Sequence, residues 1–141
     1  MGKINMGRVI LGGLLAGLVI NVSESILNVG ILAKENEDAL KALNRPPIGN
    51  EAVTFLVILG FVLGILAVWL YAAIRPRFGA GPMTAVCAGL TVWALAYLYP
   101  SGGMMGLKIF PNGLIFWGLI WGLFEMPIAA LVGAWVYKED A

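Results

Sequence analysis

Four stretches of this chain each approach the roughly 20 apolar residues that a helix needs to cross the hydrocarbon of a bilayer. They run over about 8–32, 52–74, 83–99 and 113–137, the third being the shortest. No other feature limits the possible folds as strongly. Of 141 residues, 60% are hydrophobic and 12% charged, against about 45–50% and about 25% in soluble domains. A small domain has too little interior to bury that surplus, so lipid is the natural solvent for it. The expected fold is all-α: one four-transmembrane-helix bundle with short loops, forming a single domain over 1–141.

The same composition removes several function classes. Net charge is +1, which gives no basic surface for nucleic acid. Histidine is absent, and with it the commonest general base and transition-metal ligand. Cys87 stands alone in an apolar run, where it reads as packing. Met83, Met104, Met105 and Met126 without clustered Cys or His read as gap-filling residues, so neither metal nor cofactor is expected.

The connectors differ in character. KENEDALKALNRPPIGNE is the one strongly polar stretch, and Ala39, Leu40 and Leu43 suit one face of a short interfacial helix that Pro46-Pro47 stops. RPRFGAGP reads as a tight turn and PSGGMMGLKIFPN as a loop at headgroup level. The first apolar run continues past any signal-peptide cleavage pattern and reads as a retained span. Lys3, Arg8, Arg75, Arg77 and Lys138 hug one side, while Lys34, Lys41, Arg45 and Lys108 are spread along the other. The denser set favours N-in and C-in, with Arg75 and Arg77 positioned for anionic lipid headgroups. Trp69, Tyr71, Tyr97, Tyr99, Trp135 and Tyr137 fall near span ends, as an aromatic belt would.

At 100° per residue, small residues line one face of each span. The stripes are Gly13 and Gly17 with Asn21, Glu24 and Asn28; Gly60 and Gly64 with Ala67 and Tyr71; Ala85, Gly89 and Ala96; and Gly118, Gly122, Glu125, Ala129 and Gly133. Such faces let helices approach closely where lipid removes any hydrophobic drive between them.

Glu24 and Glu125 are the ionisable residues well inside the predicted spans, and both lie on these stripes. A charge at mid-helix costs on the order of 2.5–3.5 kcal/mol on insertion scales, so such a carboxyl needs a partner, water or a proton. Asn21 and Asn28 share the face of Glu24 as candidate partners. Ser23 and Ser25 read as bonding back to their own helix. Pro127 predicts a kink and a freed carbonyl near Leu123. Two readings follow for the pair: hydrogen-bonded glue between helices, or a proton- or cation-binding site.

The opening GRVILGGLLAGLVINVSESILN and the turn YAAIRPRFGAGP resemble small bacterial integral membrane proteins of four spans. The resemblance covers the first span and the second-to-third turn. It implies a bacterial inner membrane and brings no activity, ligand or catalytic residue with it. The functional expectation is a non-enzymatic scaffold or accessory subunit, alone, as a homo-oligomer or in a larger membrane complex. The alternative is a small proton- or cation-coupled transporter or channel built on Glu24 and Glu125.

Overall fold

The computed structural model describes residues 2–140. Four helices are long and apolar enough to cross a membrane, Met6–Ile31, Asn50–Phe78, Pro82–Leu107 and Asn112–Val136. They form the expected four-helix bundle of a multi-pass membrane protein, and no strand occurs among the described residues.

The first span is α1 (Met6–Ser25), continued by a π-helical turn over Ile26–Ile31. The Asn5 side chain caps it, accepting from the Arg8 N–H at 2.9 Å. The short helix α2 (Ala33–Ala42) follows, as its apolar residues predicted, with Ala39 buried. The second span, α3 (Asn50–Phe78), carries Arg75-Pro76-Arg77 inside its last turn. The predicted break at 74 therefore falls four residues later, where Gly79 and Gly81 reverse the chain at φ 89 and 147, values that favour glycine.

The third span joins α4 (Pro82–Trp93), a π-helical turn over Ala94–Leu98 and α5 (Tyr99–Leu107). The expected end at 99 is corrected here. Pro100 follows directly on the π-helical turn at the start of α5, and the glycines behind it stay helical. Backbone polar groups at membrane depth have no water to bond, which favours helix over loop. Lys108, in the left-handed region, ends the span. The fourth span, α6 (Asn112–Val136), runs unbroken through Pro127.

In section, α1 packs chiefly against α3 and α6, and α4 against α6 and α3. Both chain ends meet on one side, where the Asn5 amide donates to Asp140 at 2.5 Å. This terminal side of the bundle has an apolar core and close helix crossings. Its core includes Val9, Ala16, Ala67, Val68, Ala85, Ala88, Met126 and Ala129. A Cβ on Gly12 would lie 2.5 Å from the Gly133 carbonyl oxygen, and one on Gly64 would lie 2.5 Å from that of Gly13. Gly89 sits against the backbone of Met126 and Pro127.

Of the expected packing glycines, Gly13, Gly17, Gly60, Gly64, Gly89, Gly122 and Gly133 are buried. Gly118 is a correction: nothing lies within 4 Å of where its side chain would begin. It is two turns nearer the α2 side than Glu125, where the helices have separated. Cys87 also departs from expectation, facing outward from the bundle.

Candidate functional site

Halfway along the bundle the glycine contacts give way to a polar seam. Glu125 of α6 is the buried carboxylate, 4% exposed. It lies on the Gly122–Ala129–Gly133 face, which the helical period turns inward. Glu24, at the end of α1, is half-buried. The two are joined by Tyr97, whose hydroxyl lies 2.6 Å from Oε1 of Glu125 and 3.3 Å from Oε1 of Glu24.

Sequence reasoning placed Tyr97 in an aromatic belt and Ala96 on the packing stripe; the structure reverses both. Ala96 is exposed and Tyr97 turns inward. The π-helical turn over Ala94–Leu98 is the physical reason, because it slips the face by about one residue. Gly122 makes room for the ring: a Cβ there would lie 2.6 Å from Cδ1 of Tyr97.

From Glu24 the hydrogen bonds continue toward α2. The Asn28 amide donates to Oε2 of Glu24 at 2.8 Å and to the Glu24 carbonyl at 3.0 Å. The Asn36 amide, on α2, donates to Oδ1 of Asn28 at 3.1 Å. Asn28 itself belongs to the π-helical turn of the first span. Both π turns thus present a seam residue, a placement such turns often have at functional sites.

Asn28 therefore bonds Glu24 and Asn21 does not. The Asn21 amide donates across to the Val57 carbonyl at 3.2 Å, and its side chain fills the space left by Gly60. Ser23 is likewise not folded back on its own helix. Its hydroxyl accepts from the Trp121 indole at 2.8 Å, while the Trp93 indole donates to the Leu119 carbonyl at 2.9 Å. Trp93 and Trp121 thus have partners for their N–H groups.

Oε2 of Glu125 is buried, and the Ser23 hydroxyl, whose own proton is free because it accepts from Trp121, lies within reach of this carboxyl.

Arg75 is a further correction. Instead of reaching freely to headgroups, its guanidinium lies 3.2 Å from Glu139 as an ion pair and 5.7 Å above the Tyr137 ring. Tyr137 meets Tyr71 edge-on with centroids 5.9 Å apart, both rings being buried where a belt was expected. Arg77 is exposed, as headgroup contact requires.

Among the described residues no three His, Cys, Asp or Glu side chains gather as metal ligands. Comparison with models of protein families, with curated proteins and with solved structures returns no match.

Proposed function

We propose that this chain is a non-enzymatic, proton-binding membrane protein whose working part is the Glu24–Tyr97–Glu125 seam, in the manner of a small proton-coupled transporter. The observation that carries this reading is the phenol set between two carboxyls at membrane depth. A hydroxyl has one proton to give and lone pairs to receive another. A carboxylic proton on Glu24 can pass to the Tyr97 oxygen while the Tyr97 proton passes to Glu125. One proton has then moved from Glu24 to Glu125, and the phenol is unchanged.

The donors around the seam favour a proton over a metal cation. Two donors, the Asn28 amide and the Tyr97 hydroxyl, already address the pair, whereas hard cations want several free oxygens. Against an enzyme stands the lack of a nucleophile beside a base, since Cys87 faces outward. Lys/Arg density supports both termini on the inner side of the membrane, and the resemblance of the first span and the second turn supports a bacterial inner membrane.

Infrared difference spectroscopy of the reconstituted protein across pH tests the reading. Carboxyl bands should change in the wild type and lose one component each in Glu24→Gln and Glu125→Gln. In Tyr97→Phe both carboxyl bands should shift, because each loses the shared phenol. A wild type whose seam carboxyls give no band change at any pH sinks the proposal.

A second reading, as an accessory subunit or homo-oligomer, draws on α3. All of its first ten residues, Asn50–Leu59, are exposed, a bare length of about 15 Å. Purification in mild detergent tests it: a monodisperse single chain with no companion counts against a subunit role.

A further inference from the structure

Resting on the proton-binding reading, we infer that the seam exchanges its proton with one face of the membrane only, the face that carries α2. In this conformation the bundle holds a one-sided site and no through-path.

Toward α2 the polar chain is continuous and grows more exposed. Glu125 is buried, Tyr97 and Glu24 are half-buried, and Asn28 is exposed. Successive contacts of 2.6, 3.3, 2.8 and 3.1 Å carry it to Asn36. Beyond Asn36 the charged groups of α2, Lys34, Glu35, Glu37, Asp38 and Lys41, belong to a helix with a single buried residue.

Toward the termini nothing continues it. From Glu125 to Tyr137 is twelve residues of helix and tail, about 18 Å at helical rise. That length is lined by Met126, Ala129, Ala16, Val68 and Val9, all at 0% exposure. The buried Thr84 hydroxyl is committed to the Gly79 carbonyl at 2.7 Å, and the buried Tyr71 and Tyr137 hydroxyls accept from the Gly81 and Asn5 N–H groups. The close approach of Gly12 to Gly133 closes the crossing of α1 and α6 to a water file, and the cavity beside Tyr71, Ala85 and Leu131 lies between α3, α4 and α6, on the terminal side of the buried Met126 and Ala129.

At the far mouth stand the Tyr71–Tyr137 pair and the Arg75 guanidinium. The Arg75 charge is paired there with Glu139 at 3.2 Å. The titratable groups facing the seam are Glu24 from α1, Tyr97 from the third span and Glu125 from α6. Those of α3, namely Glu51, Tyr71, Arg75 and Arg77, lie near its two ends. The buried Glu125 carboxyl is where the chain stops.

The test uses the full chain in liposomes of one orientation, checked by protease access to the termini. Dicyclohexylcarbodiimide, which attacks protonated carboxyls from lipid, serves as probe, with mass spectrometry reading modification at Glu125. Glu125→Gln gives the background. Raising pH on the α2 side alone should slow modification by about tenfold per pH unit beyond the titration point. Raising it on the terminal side alone should leave the rate unchanged. A response to the terminal side, alone or with the other, overturns the one-sided site while leaving proton binding standing. Response to neither side overturns proton binding itself, and the inference with it.

Discussion

The two halves of this bundle use glycine in opposite ways. On the terminal side, Gly12, Gly64 and Gly89 bring backbone against backbone. On the α2 side, Gly60 and Gly122 hold space for a polar side chain, Asn21 in one case and the Tyr97 ring in the other. The first use excludes water and leaves no room for chemistry. The second sets a hydrogen-bonding group at a depth where it would otherwise face lipid, which is what a seam of carboxyls requires. One residue type thus makes both the seal and the socket, and the helix period decides which comes at which depth.

The largest expected effect comes from breaking the seal. Gly64→Val would push a branched side chain into the backbone of α1, near Gly13 and Gly17, neither of which can give way. Overpacking costs about 1–3 kcal/mol and occasionally more, and a rigid backbone neighbour puts this case near 3 kcal/mol. Unfolding by SDS titration in mixed micelles would read it. A change below the error of that titration would mean that the two helices do not depend on this crossing.

Breaking a socket should cost less and show a different signature. Gly122→Ala meets ring carbons of Tyr97 at 2.6 and 2.8 Å, and a side chain on a flexible stem can swing aside. The loss expected is the bridge to the two carboxyls, about 1–2 kcal/mol for intramembrane hydrogen bonds. The infrared carboxyl bands should shift as in Tyr97→Phe. A stability loss without that shift would show that Gly122 serves packing alone. By contrast, Gly118→Ala meets open space and should raise stability by up to about 1 kcal/mol through helix propensity. A loss there would reveal a neighbour supplied by another chain.

How far the sequence foretold these halves can be read from Tyr97. Period-100° stripes located Glu24, Glu125 and most packing glycines, because α1, α3 and α6 keep regular α-geometry through those positions. They misplaced Tyr97 for two linked reasons. Pro100 and the glycines behind it read as a loop, so the third span seemed to end near 99 and Tyr97 to lie at its rim. With the helix continuing to Leu107, Tyr97 stands ten residues before that end, and Glu125 stands thirteen after Asn112. The two share a depth. The π turn then rotates the phenol inward, and no i, i+4 pattern encodes such a slip. Arg75 and Asn36 were illegible for another reason: their partners, Glu139 and Asn28, are fixed only by tertiary placement.

The smallest expected effect concerns what holds α2 over the seam. Lys41 and Glu37 pair at 2.7 Å along its exposed face. Hydrogen bonding and charge attraction from Lys41 hold the Glu37 carboxyl below its usual range, and Glu37 raises Lys41 in turn. A lowered carboxylate stabilises the folded state fully above its unfolded value of about 4.3, and loses that contribution as pH falls through the lowered one. A raised ammonium contributes fully below about 10.4 and loses it as pH climbs through the raised value. Amide exchange along α2 should therefore be slowest, after correction for intrinsic rates, between those limits, and only slightly so, since exposed pairs are screened. The protection of Asn28 should not follow it, because α2 is anchored by buried Leu32 and Ala39 and by the Asn36 amide. If Asn28 loses protection in step with the pair, the surface charges of α2 control the seam's only opening, and the two halves differ in pH response as well as in packing.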